Sequence, residues 1–308
     1  MSDIPQSQPT PSLALERPRK RTLTISMERR LVILARILIA LLAIIFAVFP
    51  AWWIVAAAID PAGSLATTRL IPSNTSLRNF ERLLTNPVNP YLTWLWNSIK
   101  ISSIVSITSI FILAFSAYAF SRFRFRFRRQ LLLGIFLVQV FPNALALVGL
   151  FLLVQALGRY IPSLGLNTHG GLILAYLGWV MGINVWLTKG FFDSVPRDID
   201  ESAMVDGATH FQIFWYLILP LVRPIMAVLA ILSFIGTFND FLIARAVLQG
   251  TQQFTLMVGL YLFVDQQFAQ NWGVFAAGAL IASLPIVVFY LLLQDQIVSG
   301  LTQGAVKG

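Results

Sequence analysis

Glu201 to Pro220 reads ESAMVDGATHFQIFWYLILP, a segment that opens with carboxylates and a glycine and then runs into a stretch apolar enough for lipid. Of the 308 residues, 57% are hydrophobic and 11% charged. Soluble domains carry about 25% charged residues, so this composition requires lipid as its solvent. The formal net charge is +9, so an acidic loop placed between apolar runs needs a reason of its own.

A spanning helix needs about 20 mostly apolar residues. Six stretches qualify, roughly 37–59, 97–120, 131–154, 171–190, 217–244 and 273–298. They are long and do not alternate, unlike the short strands of a membrane β-barrel. The fold class expected is an all-α membrane protein with six transmembrane helices. Most Lys and Arg fall on one side: Arg17, Arg19, Lys20, Arg21, Arg29, Arg30 and Arg36 before the first span, then Arg122 to Arg129 in SRFRFRFRRQ, then Lys189, Arg197 and Lys307. The positive-inside rule therefore predicts that both termini are cytoplasmic. Trp94, Trp96 and Trp272 fall at predicted outer boundaries, and Trp186 and Trp215 at inner ones, as an aromatic belt.

The alternation of Arg with Phe at 122–128 could stack nucleic-acid bases. It joins two spans and follows the charge bias, so anchoring to anionic membrane lipid is the better reading and no nucleic-acid partner is expected. Residues 1–30 read as a disordered basic cytoplasmic tail, 31–93 as the first transmembrane helix and an external loop broken by prolines, 94–300 as the core membrane domain, and 301–308 as a C-terminal cytoplasmic tail. The first span could be a cleaved signal peptide, but its apolar run exceeds the usual 7–15 residues, which favours an uncleaved helix.

Absences exclude several classes. No cysteine is present, and the two histidines, His169 and His210, are far apart, so neither a thiolate nor a His-rich metal site is available. Nothing matches GxxxxGK[ST] or GxSxG, which removes a phosphate-binding loop and a serine hydrolase elbow. Ionisable residues within the spans are few (Lys100, Arg223, Asp240 and Arg245), and they are expected to snorkel towards headgroups rather than form a proton relay.

In the acidic loop, Pro196 suits an early helical position, and Asp198, Asp200 and Glu201 sit in the first turns, favourable to the helix dipole. Gly207 can end that helix in the left-handed region, and Thr209 can cap a second one over 210–216. Ile199, Ala203 and Val205 offer a modest apolar face, with small Ser202 and Ala203 permitting close approach. Such a bend suits docking into a cleft of another protein, with Glu201 or Asp198 meeting an arginine. The alternative is an amphipathic helix lying on the membrane, although those usually carry Lys and Arg on the polar face.

ESAMVDGATHFQIFWYLILPLVRP also resembles the EAA loop of binding-protein-dependent ABC importer permeases. Glu201, Ala203, Gly207, Leu219 and Pro220 match; Ser202 replaces an Ala, and Leu217 stands where Ile is usual. LTWLWNSIKIS, AYAFSRFRF, YIPSLGLNTHGGLILAYLG and VSGLTQGAVKG narrow the resemblance to the smaller of two unlike membrane subunits of maltose/maltodextrin importers. The resemblance implies the type I ABC importer permease fold in a bacterial cytoplasmic (inner) membrane, with the EAA coupling helices at about 197–216. It implies a second, unlike permease subunit, two cytoplasmic ATPase subunits and a periplasmic or lipid-anchored sugar-binding protein as partners. ATP and Mg2+ then belong to the ATPase subunits, with no cofactor and no catalytic residue on this chain. Glu201, Ser202, Ala203, Asp206, Gly207, Leu219 and Pro220 form the implied ATPase-coupling set. The ending Gly304, Val306, Lys307 and Gly308, with Ala305 departing from a usual Gly, implies a tail that contacts the ATPase pair.

Counting about 1.5 Å per residue along the fifth span places Asn239 and Asp240 near its outer end. There they would line a sugar pathway, contact the binding protein, or simply end a helix at the interface. FNDFL loosely resembles the W-N-[DE]-F stretch of broader sugar permeases, departing at Phe238. The loop LQGTQQFT, with Gln249, Gln252 and Gln253, corresponds to one that reaches the binding protein in maltose importers. The function expected is import of maltose, maltodextrin or a related disaccharide such as trehalose or sucrose, driven by partner ATPases. The alternative class is an ion-coupled secondary carrier, with a membrane-embedded enzyme a weaker third.

Overall fold

The computed structural model describes residues 27–61, 72, 74–140, 143–265 and 271–305, which are helix, turn and loop with no strand among them. Residues 1–26, 62–71 and 73, 141–142, 266–270, and Val306, Lys307 and Gly308 lie outside the described residues. The helices are α1 Met27–Ile59, α2 Arg78–Thr85, α3 Tyr91–Arg122, α4 Arg128–Val140, α5 Asn143–Tyr160 and α6 His169–Ser194, then α7 Arg197–Val205, α8 His210–Gln212, α9 Leu219–Phe238, α10 Leu242–Val247, α11 Leu256–Tyr261 and α12 Trp272–Ala305.

The chain divides into two units, Met1–Pro50 and Ala51–Gly308. In the first, the described residues 29–50 of α1 are exposed, Phe46 by 82%, and from Ile37 to Phe49 the helix carries no charged residue; its last turns, in the second unit, are buried at Ala56, Ala57 and Ala58. A helix with no polar face has lipid or another protein as its surroundings.

The second unit is built on α3, which packs against both α6 and α9, while α12 packs against α9 and α2. Small residues let the helices approach: Ser98, Ser102, Ser106 and Ser109 form a buried stripe along α3. Ser106 Oγ donates to the Ala230 carbonyl at 2.8 Å, and Ser109 and Ser233 hydroxyls lie 3.1 Å apart. Hydroxyl bonds across close-packed helices are a typical adhesive in lipid, where apolar burial drives little association.

Among the described residues, four helices are long and apolar enough to cross a membrane: Arg29–Ile59, Tyr91–Arg122, His210–Phe238 and Trp272–Gln296. The expected third span, 131–154, is instead two helices, α4 and α5, with Pro142 in the gap between them. The expected fourth is a bent pair, His169–Trp179 and Asn184–Ser194, inclined at 55°. The expected fifth, 217–244, begins and ends earlier, as one helical stretch over His210–Phe238. Its continuity rests on a π-helical segment, Ile213–Ile218, in which Leu219 N–H bonds to the Phe214 carbonyl five residues back. Pro220 has no N–H for the Tyr216 carbonyl and its ring crowds it, and the wider π turn absorbs both effects without breaking the rod.

Two cores result. One centres on Trp94, which is fully buried rather than part of an aromatic belt, while Trp96 is exposed. Trp94 Nε1 donates to the Thr251 carbonyl at 2.8 Å, fixing the ring. The other centres on Phe192, Ile213 and Ile218 at the opposite end of α3. Gly259 lies against the Trp94 ring so closely that a Cβ there would overlap it. Gly259→Ala gains about 1 kcal/mol of helix propensity but overpacks a ring held by its hydrogen bond, which costs typically 1–3 kcal/mol. A net fall in the thermal unfolding midpoint of the purified protein is expected, and a rise would show that the Trp94 ring is free to move.

Candidate functional site: an anchored helix–bend–helix

α7 opens after Pro196, with Asp198 and Asp200 in its first turn. It stops as the glycine requires: Gly207 has φ +84°, Ala208 N–H bonds to the Ala203 carbonyl at 2.9 Å, and Gly207 N–H to that of Met204 at 3.0 Å. This pairing is the Schellman motif, which satisfies the last carbonyls of a helix. The chain then restarts through a capping box. Thr209 Oγ1 accepts from Gln212 N–H at 3.3 Å, and Gln212 Oε1 accepts from Thr209 N–H at 2.8 Å.

The two faces of α7 differ. Ala203 is buried and Ile199 half-buried against the protein's own second core, so neither contributes to the exposed apolar face expected of them. Glu201, Ser202, Met204, Val205, Asp206 and Gly207 face outward, with Val205 exposed by 88% and Phe211, beyond the bend, by 65%. Leu219 is half-buried and Pro220 exposed on the rod behind. The outward face is thus acidic at Glu201 and Asp206 and apolar at Met204, Val205 and Phe211.

What holds this element in place is absent from the sequence-based expectation. Arg122, read there as a headgroup anchor, turns inward. Its Nε lies 2.9 Å from Asp200 Oδ2, with both side chains almost fully buried. The two atoms form an ion pair by distance, although their alignment falls outside that of a hydrogen bond. Arg122 Nη1 donates to the Phe192 carbonyl at 3.1 Å and Nη2 to that of Val195 at 3.0 Å. Ser121 Oγ donates to Asp193 Oδ1 at 2.7 Å, Lys189 pairs with the other oxygen of Asp193, and Arg197 Nη2 donates to the Ser121 carbonyl at 2.8 Å. The end of α3 is therefore tied to the end of α6 and to α7 together. Asp200 is a buried anchor, not only a dipole partner. The available signal was geometric: Leu113, Ala114, Ala117, Tyr118 and Ser121 form a buried stripe that carries the last turn of α3 inward.

At the other end of α9 the expected pathway residues separate. Asn239 is exposed. Asp240 Oδ1 accepts from Tyr176 Oη at 2.8 Å and from Ile243 and Ala244 N–H at 3.1 Å each, which caps α10. The loop Leu248–Thr255 is pinned through its backbone: Asn97 Nδ2 donates to the Gln252 and Phe254 carbonyls, each at 3.0 Å, and Asn167 Oδ1 accepts from Gln249 and Gly250 N–H. His169 Nε2 lies 3.0 Å from the Gln253 carbonyl, and Lys100 Nζ lies 2.8 Å from its Nδ1, so Lys100 turns to the histidine rather than snorkelling. With the backbone satisfied, Gln249 and Gln252 project outward and Gln253 is half-buried. Gly304 lies in α12, while the rest of the proposed tail contact lies outside the described residues. Among the described residues no cluster of His, Asp or Glu could hold a metal.

Comparison with known proteins agrees with this architecture. Residues 110–303 match the model of the binding-protein-dependent transport system inner membrane component. The chain is 43% identical over 274 residues to the maltose/maltodextrin transport system permease protein MalG of Vibrio vulnificus, covering 85% of this chain and 91% of that protein. It is 40% identical to the galactooligosaccharides transport system permease protein GanQ of Bacillus subtilis, over 88% of this chain and 94% of that one. In structure it is similar to a chain of a bacterial ABC transporter involved in the import of alginate, with a TM-score of 0.72 and 22% identity over 88% of this chain and 98% of that one. The chain belongs to the family of binding-protein-dependent transport system inner membrane components, and within it is MalG-like. It is a permease subunit of the inner membrane rather than a member of an enzyme family.

Removing Arg122 alone would leave the Asp200 carboxylate buried without compensation. Breaking a buried pair in this way costs about 3–5 kcal/mol, whereas replacing both members by apolar residues is often neutral. Arg122→Met is expected to lower the thermal unfolding midpoint sharply, and adding Asp200→Leu to recover most of the loss. Equal damage from single and double variants would show that the carbonyl contacts of Arg122, not its charge pair, do the anchoring.

Proposed function

We propose that this chain is one of two unlike membrane subunits of an ATP-driven sugar importer, and that the outward face of α7 is where partner ATPases drive it. The observation that carries the reading is the exposed acidic and apolar face around the Gly207 bend, held by the Arg122–Asp200 anchor and leading directly into one helix. His210–Phe238 is a 29-residue stretch, about 43 Å at 1.5 Å per residue. A push on Glu201, Met204 and Val205 would move a rod that reaches across the membrane. Ser202 and Gly207 allow close approach on that face, Asp206 adds charge, and Ala203, Leu219 and Pro220 seat the element and shape the rod.

In this reading α4 and α5 together form one span and the bent α6 another, giving six, with both termini cytoplasmic by the positive-inside rule. The partners are a MalF-like permease, two MalK-like ATPase subunits that hold ATP and Mg2+, and an external sugar-binding protein. The pinned loop, with Gln249 and Gln252 outward and Gln253 half-buried beside them, presents a preformed polar surface to that binding protein, with Asn239 nearby in sequence. The relatives at 40–43% identity are permeases for maltose/maltodextrin and galactooligosaccharides, which favours a neutral oligosaccharide as cargo over an acidic one such as the alginate of the 22% identical structure. Maltose or maltodextrin is the first candidate, with trehalose and sucrose next.

The test is ATP hydrolysis by the complex assembled from this chain and its partner subunits, with the binding protein and maltose, trehalose or no sugar. Sugar-stimulated hydrolysis, lost in Glu201→Lys while the chain still inserts, is the expected result. Unchanged stimulation in Glu201→Lys would sink the coupling role, and sugar uptake without any ATPase would favour an ion-coupled carrier. Deleting Gly304 to Gly308 is expected to weaken co-purification of the ATPase subunits or their stimulation. Full transport after that deletion would remove the tail from the coupling surface.

A further inference from the structure

Three interruptions of helical backbone converge on one cleft. Gln139 stands just before the gap between α4 and α5, Trp179 and Asn184 flank the bend of α6, and Asp240 follows the end of α9. All four, with Tyr176 and Thr237, line a cavity of about 270 Å³. A second cavity of about 450 Å³ has Gln139, Trp179, Asp240 and Ile243 as a shared wall. Irregular backbone at membrane depth is tolerated where it lines a water-filled or solute-filled cavity, and discontinuous helices build many transporter substrate sites.

The lining has a definite chemistry. Thr237 is only 6% exposed, and its Oγ1 is buried without a hydrogen-bond partner. Burying a hydroxyl without a partner is costly, so a buried, unpaired hydroxyl on a cavity wall points to a polar occupant. A lipid chain would leave it unsatisfied. Among the described lining residues the one charged side chain is Asp240, and its Oδ1 already accepts three hydrogen bonds. Among them no Lys or Arg lines either cavity, so an anionic solute finds no counter-charge there. A neutral molecule rich in hydroxyls with an apolar face fits this lining, since a hydroxyl can donate to the Asp240 carboxylate as Tyr176 does. Trp179 supplies an indole for that face, and Gln139, Asn184 and Thr237 supply the polar partners. A few convergent polar groups in a mostly apolar cleft are the usual make-up of a small-molecule site.

We propose that this cleft is a subsite of this subunit for one ring of a neutral sugar, stacked on Trp179 and hydrogen-bonded by Thr237. The inference rests on the importer reading above and adds to it a sugar contact within this chain. The rod His210–Phe238 carries Thr237 near its far end, so movement begun at α7 changes the cleft directly. Occupation and coupling then share one helix.

Because the chain has no cysteine, a single introduced thiol reports on the cleft. Gly236 also lines it, and a Cβ built there meets nothing within 4 Å. In vesicles holding the complete importer, Gly236→Cys is expected to react with a small neutral maleimide. Whichever of maltose, maltotriose or galactobiose stimulates ATP hydrolysis should slow that reaction at least fivefold. Thr237→Val keeps the shape and removes the unpaired hydroxyl, so the fold should be as stable or more so, while the half-saturating sugar concentration for import rises about fivefold, the worth of one hydrogen bond. A structural role for Thr237 would lower stability instead. A thiol that never reacts, because lipid or the partner permease fills the cleft, overturns the subsite. So does a labelling rate that the stimulating sugar leaves unchanged. If none of the three sugars stimulates hydrolysis by the unmodified importer, the importer reading itself fails for these sugars and the subsite falls with it.

Discussion

The Arg122 guanidinium gathers the Asp200 carboxylate and the carbonyls of Phe192 and Val195 at the point where α3, α6 and α7 end. A lone arginine in a nearly dry site would be untenable, and a lone aspartate there equally so. Together, and with the carbonyls of Phe192 and Val195 at the end of α6 accepting the Nη donors, they make an orientation device. The pair adds little net stability, since its desolvation offsets much of its attraction, but neither member can be removed alone without leaving a buried charge. The Schellman turn at Gly207 and the capping box at Thr209 close locally, but the outward presentation of Glu201 and Val205 depends on α7 lying where this anchor holds it.

From that anchored end a single helical stretch runs from His210 to Phe238. Two prolines, Pro220 and Pro224, sit within it, yet the π segment before Pro220 keeps it continuous. Elsewhere the same chain breaks its helices, between α4 and α5 and in the bend of α6. The contrast has a mechanical reading. An unbroken rod links the outward loop to the cleft, while interrupted helices form the opposite wall, where backbone irregularity admits polar side chains. The loop Leu248–Thr255 follows a related logic: side chains from α3, from Asn167 and from the start of α6 satisfy its backbone, so Gln249 and Gln252 are left to face outward.

Local structure was legible wherever short-range chemistry governed it. Gly207 as a left-handed stop and Thr209 as a cap follow from residue type and spacing, because both devices close within a few residues. The apolar runs that became α1, α3, α9 and α12 were equally plain. Illegible were the features that depend on which side of a helix faces the protein. Trp94 and Trp96 look alike in sequence, yet one is fully buried and the other exposed. Arg122 shares a run with four other arginines and alone among them is drawn to Asp200. Lys100 and Asp240, expected at headgroups, found His169, Tyr176 and the start of α10 instead.

The sequence by itself therefore determined the solvent of this protein, its helical class and the helix–bend–helix around Gly207, since hydropathy, charge bias and capping act over one to twenty residues. The resemblance carried by its motifs pointed to the family. The tertiary structure alone decided which carboxylate of the acidic loop is an anchor and which faces outward, and where the long spans break. It also decided that Gln139, Tyr176, Trp179 and Thr237 share a cleft. These are contacts between residues tens of positions apart, set by helix rotation and packing. In lipid the apolar pattern that would reveal such rotation is nearly uniform around each helix, so the sequence carries little trace of it.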